Sequence, residues 1–250
     1  MKFITLWATP RSTSTAFEWM MRERGDFRCF HEPFNELYYY GEDRRSQRDA
    51  DVAAKPGHNY AAVWQNLLNQ AGEANLFLKD FAYSVEHFID DAMLDVMQHS
   101  FLIRDPYKVI QGLNKHWPDC CFAEIGFDSL LRLFDRVAER DGKTPLVIHS
   151  DDLLANPEAT TRAYCQHMGF DFIAEALDWE PGERREVSWY GEGSGPWHDT
   201  LRQSSGIKAQ KTSYPPLEDN PRLIELYQQS LPYYEQLLAH SLKISEERQP

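Results

Sequence analysis

Phe3-Ile4-Thr5-Leu6-Trp7 runs into Ala8-Thr9-Pro10-Arg11-Ser12-Thr13-Ser14-Thr15 and on into Ala16-Phe17-Glu18-Trp19-Met20-Met21-Arg22, and the reading of this stretch decides the fold. The first run is apolar, β-branched and aromatic, as a buried strand requires, and Thr9-Pro10 breaks it. Phe17, Met20 and Met21 then recur at i, i+3 and i+4, with Gly25 as a stop, which predicts a helix. Strand, turn and helix follow one another. A helix N-terminus offers free N–H groups and the positive end of a dipole, and this turn adds Arg11 and four hydroxyls, Ser12 to Thr15. The expected ligand is therefore a phosphate or sulfate group. A Walker A loop is excluded, because no glycine or lysine lies between Leu6 and Arg24.

The rest of the chain bounds the class. Its 250 residues, 42% of them hydrophobic, suffice for a single α/β domain over 1–250, and no apolar run is long enough to span a bilayer. The four cysteines lack metal-ligand or C-x-x-C spacing, and no basic segment with an apolar h-region opens the chain, so the expectation is cytoplasmic residence without a metal. With 26 basic against 39 acidic residues, the formal charge is −13. Such a field repels nucleic acid and anionic membranes, which leaves a small-molecule acceptor as the expected partner and a homodimer open.

Further strand signals alternate with helices. Arg28-Cys29-Phe30-His31 ends at Glu32-Pro33; Leu76-Phe77-Leu78 ends in Lys79-Asp80; Ser100-Phe101-Leu102-Ile103 ends in Arg104-Asp105-Pro106; and Pro145 to His149 forms the fifth. Residues 35–58 and 179–211 read as loops or lids, and 243–250 as a frayed tail. Ser84 is expected to cap one helix running through Val85, Phe88, Ile89, Ala92, Met93, Val96 and Met97, and Pro232 to kink or break a C-terminal helix that starts at Asn220-Pro221. The fold class predicted is a three-layer α/β sandwich on a parallel sheet of about five strands, P-loop-like in outline. On such a sheet His31, Glu32, Lys79, Asp80, Arg104 and Asp105 share one edge with the Arg11 turn, and that shared edge marks a site.

Thr9 to Thr15, His31-Glu32-Pro33-Phe34, Phe101 to Pro106, and Asp151-Asp152-Leu153 through Asn156-Pro157-Glu158 to Met168-Gly169-Phe170 together resemble the sulfotransferase family in order and spacing. The resemblance implies 3′-phosphoadenosine 5′-phosphosulfate (PAPS) as donor, no metal, and transfer of a sulfuryl group to a hydroxyl or amine. It carries 5′-phosphosulfate binding onto Arg11, Ser12, Thr13, Ser14 and Thr15, and 3′-phosphate binding onto Arg104. Gly112 stands where the family has a serine, and Thr13 where it has a turn glycine. Arg202, Lys208 and Lys211 fall where the family places a basic loop over the 3′-phosphate.

Sulfuryl transfer needs alignment, a base, and charge at the leaving oxygen. Those roles fall to Arg11 for charge, Glu32 or else His31 for the acceptor proton, and Lys79 near the sulfuryl group, with Asp80 as an alternative partner for Lys79. The alternatives to a sulfotransferase are a phosphotransferase on a similar scaffold and a non-catalytic member that binds nucleotide or a protein. Selective stabilisation by adenosine 3′,5′-bisphosphate separates a sulfotransferase from the phosphotransferase.

Overall fold

Strand β1 (Phe3–Ala8) is buried along its whole length because it is the middle strand of five, all parallel, in the order β2-β3-β1-β4-β5. The structure, a computed structural model, describes residues 1–187, 195–209, 214 and 216–244. The other strands are β2 (Arg28–His31), β3 (Leu76–Phe81), β4 (Gln98–Ile103) and β5 (Leu146–His149). Parallel strands need crossovers, and helices supply them in the order α1 (Ser14–Glu23), α2 (Pro33–Tyr40), α3 (Tyr60–Ala71), α4 (Ala82–Val85), α5 (Asp91–Val96), α6 (Pro106–Asn114), α7 (Phe122–Ile125) and α8 (Phe127–Asp141); α9 (Ser150–Ala155), α10 (Pro157–Met168), α11 (Asp199–Arg202) and α12 (Pro221–Ala239) follow the last strand.

Side chains alternate across the sheet, so it builds two cores. Phe3, Trp7, Leu76, Leu78, Phe101, Ile103 and Val147 pack one face against α3, α5, α6, α8 and α12. Ile4, Leu6, Phe77, Leu102 and Ile148 pack the other against α1 and α10. This is the three-layer sandwich expected. Register aligns His31 with Lys79, Ala8 with Phe81, and Ile103 with His149, which brings every strand's polar C-terminal end to one edge.

Three local expectations are corrected. Residues 35–40, read as the start of a loop, belong to α2, because Pro33 occupies the first turn of a helix rather than breaking the chain. The single helix expected from Ser84 is two, α4 and α5: Ser84 lies inside α4, donating to Phe81 O at 2.7 Å, and Asp90 starts α5 by accepting from Met93 N at 2.9 Å. Of the two outcomes expected at Pro232, a kink or a break, the break does not occur: α12 continues through it to Ala239. The cost of proline in a helix, about 3 kcal/mol, is offset by packing on both sides of it, through Leu223, Leu226 and Leu237.

One buried histidine gives a pH prediction. Trp7 Nε1 donates to His99 Nδ1 at 3.0 Å, so that nitrogen is the bare acceptor, and Nε2 faces Leu94 O at 3.1 Å. Burial holds the His99 imidazole below its ordinary value. Unfolded chain therefore binds a proton that the fold refuses, and stability falls as pH drops below about 6.5. Denaturant titrations at pH 7.5 and 5.5 are expected to show a larger difference for the wild type than for His99→Gln, and equal differences would remove His99 as the cause.

Candidate functional site

The turn after β1 is held by its own hydroxyls and by neighbouring strand ends. Thr9 N donates to Leu102 O at 3.3 Å, Ser12 Oγ donates to Thr9 O at 2.6 Å, and Thr13 Oγ1 bonds Ser150 Oγ at 2.7 Å where α9 begins. Arg11 and Thr13 lie at φ 58° and 76°, a left-handed conformation that costs non-glycine residues of order 1–3 kcal/mol. Backbone strain of this kind clusters at active sites and ligand clamps. Thr13 precedes α1 without a side-chain cap, and the first turn of α1 has no acidic residue, so the positive end of the helix is neither capped nor neutralised by its own side chains. Ser14 is buried there and Thr15 half-buried.

Arg11 is gripped on both sides. Its Nη1 donates to the carbonyl of Trp197 at 2.7 Å, the Trp197 ring centroid lies 5.7 Å from its Cζ, and its carbonyl accepts from Arg104 Nη1 at 2.8 Å. Gly112 of α6 lies against the stem of Arg11: a Cβ there would stand 3.2 Å from Arg11 Cβ. Burial chiefly, and the Arg104 cation as well, disfavour the Arg11 charge, against a favourable contribution from Glu32. A bound anion would favour the charge of both arginines. Among the described residues, Thr9 Oγ1 and Arg104 Nε are buried without a hydrogen-bond partner. Buried orphan groups of this kind are rare, and here they flank the same turn.

A second cluster fills the ends of β2 and β3. Glu32 sits at φ 47°, its N–H donating to Lys79 O at 2.8 Å. Its carboxylate takes Lys79 Nζ on one oxygen and Asn35 Nδ2, at 3.1 Å, on the other. Lys79 is fully buried, with Nζ 5.0 Å from the Phe81 ring centroid. His31 Nε2 lies 3.8 Å from Glu32 Oε1, while His31 Nδ1 meets Glu18 Oε2 at 2.6 Å. Burial would raise the Glu18 carboxyl, but the charge and hydrogen bond of His31, with Arg22 and Lys79, hold it down to about 2. Glu18 is thus an anion that aims the imidazole.

Asp80 does not take Lys79, contrary to the alternative pairing. It accepts from Phe34 N at 2.7 Å and Phe81 N at 2.8 Å, and Ser84 Oγ donates to it at 3.1 Å, which ties α2 and α4 to β3. Burial, and then Glu32, push this carboxyl up to about 7.

The structure therefore gathers Arg11 to Thr15, Arg104 and Gly112 around one turn, with Glu32, His31 and Lys79 at adjacent strand ends. Arg202 instead pairs with Asp199 and with Glu183, and Lys208 Nζ donates to Ser205 Oγ at 2.9 Å, both beside the Asp178–Gly206 bridge. Lys211 and the aromatic residues Trp189 and Tyr190 fall outside the described residues. Two participants have no motif. Glu18 could have been suspected as an acid within the hydrophobic run of α1, spaced i, i+4 from Arg22. His198 comes from the turn Gly195–His198, its ring 5.7 Å from that of His31, and burial, with His31 beside it, pushes it down to about 3. No periodicity announces such a residue.

Among the described residues, no helix is long and apolar enough to cross a membrane. The family described as "Sulfotransferase domain" matches residues 1–241. The sulfotransferase domain of the Synechococcus PCC 7002 olefin synthase aligns with a TM-score of 0.55 at 17% identity, covering 97% of this chain and 95% of that one. The sulfotransferase domain of the curacin biosynthetic pathway aligns at 0.51 and 12%, covering 97% and 99%. In sequence, branched-chain-amino-acid aminotransferase-like proteins 2 and 1 of Arabidopsis thaliana are 25% and 28% identical over 242 and 240 residues. This chain spans 42% and 41% of their lengths.

Proposed function

Because the chain belongs to the sulfotransferase domain family, we propose that it transfers a sulfuryl group from PAPS to a hydroxyl or amine of a small-molecule acceptor. The observation that carries this reading is that Arg104 Nη1 donates to the backbone carbonyl of Arg11, which ties a second arginine to the strained turn before the uncapped N-terminus of α1. The donor supplies the sulfuryl group and leaves as adenosine 3′,5′-bisphosphate. Residues Arg11 to Thr15 would hold its phosphosulfate and Arg104 its 3′-phosphate, with Thr9 Oγ1 and Arg104 Nε as donors awaiting an anion.

The remaining chemistry belongs to the buried acid–base cluster. Glu32 takes the acceptor proton, and Lys79 keeps that carboxylate charged and oriented. Burial of Glu32, Lys79 and His31, with the His198 ring against His31, keeps the cluster from water, which strengthens each charge interaction. We place the reaction in the cytoplasm, without a metal, with no nucleic-acid or membrane partner.

Melting curves with adenosine 3′,5′-bisphosphate, ADP and ATP test the donor. Binding to the folded state at a hundredfold excess over Kd adds about 2.7 kcal/mol of stability, a readable shift. The bisphosphate is expected to raise the melting temperature most, and stabilisation by ATP alone would replace this reading with a phosphotransferase. Glu32→Gln is expected to keep bisphosphate affinity and lower turnover by about 10²- to 10⁴-fold. Full turnover in that variant would move the base to His31.

A further inference from the structure

Gly112 lies inside α6, where glycine is a poor helix former and where its backbone is ordinary helix, so its presence calls for a spatial reason. A Cβ at this position would stand 3.2 Å from both Cβ and Cγ of Arg11 and 3.4 Å from its Nε. Those atoms cannot retreat freely. The Arg11 backbone is fixed in the left-handed region with its carbonyl on Arg104, and Trp197 holds Nη1 through its carbonyl. The stem of Arg11 is thus anchored at both ends where it passes the α6 backbone. Any side chain at 112 presses on that stem.

We infer that Gly112 is a positioning residue for donor binding: the missing side chain makes the space through which Arg11 carries its guanidinium to the anion site. Position 112 is then not a ligand that has lost its hydroxyl. Restoring a serine there weakens the site, because it displaces the charged group that the site depends on. The inference rests on the donor reading proposed above.

Four variants test it: Gly112→Ala, Gly112→Ser, Arg11→Ala, and Arg11→Ala combined with Gly112→Ser. Each is titrated with adenosine 3′,5′-bisphosphate in a calorimeter and melted without ligand. Both single substitutions at 112 are expected to raise Kd at least about tenfold while the melting temperature holds or rises, since a helix gains by losing glycine. A purely structural role would lower affinity and melting temperature together. In the Arg11→Ala background the serine is expected to change Kd less than about twofold, the non-additivity of residues in contact. Tighter binding by Gly112→Ser, or additive losses, would overturn the inference. Should the wild type not bind the bisphosphate, the donor reading fails by itself. Crystals of ligand-free Gly112→Ser then decide the inference separately: a shifted Arg11 side chain upholds it, and an intact Arg11–Trp197 bond refutes it.

Discussion

Arg11→Ala is expected to lower affinity for adenosine 3′,5′-bisphosphate by roughly 10²- to 10³-fold and to abolish measurable sulfuryl transfer. The magnitude follows from what the guanidinium offers an anion. Hydrogen bonds to charged groups contribute about 1.5–3 kcal/mol each, and a fork of donors on one phosphate gives two of them. Burial of Arg11 keeps water from screening that attraction. Arg11→Lys is expected to fall between, because an ammonium restores charge but not the planar fork, and it reaches the Trp197 carbonyl less well. Calorimetric Kd values for the three proteins, with melting curves to show that each is folded, check the order. Binding by Arg11→Ala within threefold of wild type would take the charge role away from this residue.

The second large effect is on stability. Lys79 is fully buried, its ammonium paired with Glu32, with Asp80 next to it in the chain. Lys79→Met keeps the volume and removes the charge, leaving two neighbouring carboxyl groups in a water-poor interior. Breaking a buried pair from one side costs about 3–5 kcal/mol. The loss has a sign in pH. Without Lys79 the folded-state pKa of Glu32 rises above its unfolded value, so the fold binds a proton the unfolded chain does not, and acid relieves the damage. Denaturant unfolding at pH 7.5 and 5.5 is expected to show a deficit that shrinks at the lower pH. A deficit below 1 kcal/mol, or one independent of pH, would mean that the pair contributes little to holding β2 against β3.

The sheet was legible because its strands are short apolar runs that end in charge, and a parallel sheet then places those ends together. Leu76 to Lys79 and Phe101 to Arg104 are such runs. The break between α4 and α5 was hidden because its residues keep a helical spacing of apolar groups. Ile89 is buried while Glu86 and His87 are exposed, as a continuous helix would also arrange them, and only the cap at Asp90 restarts the count. Helix α2 was hidden by a proline that reads equally as a stop or as a first turn. In the site, local motifs point to Arg11 and Glu32, yet what surrounds them comes from far along the chain. Trp197 reaches Arg11 across 186 residues, and His198 reaches His31 from the same turn. Gly112 has meaning only beside Arg11, which sequence spacing does not show.

The strand order has a consequence for how the protein is assembled. β1 pairs with β3 and β4, so Phe3 must find Leu76, and Ile4 must find Gln98. A growing chain therefore carries its first strand with both edges unsatisfied until distant segments emerge. Contacts of such high sequence separation slow folding, because loop closure has to precede any reward. Exposed strand edges in that interval invite pairing between chains. The strand that leads into the Arg11 turn is thus held on both sides only once β4, some ninety residues further along, has been made.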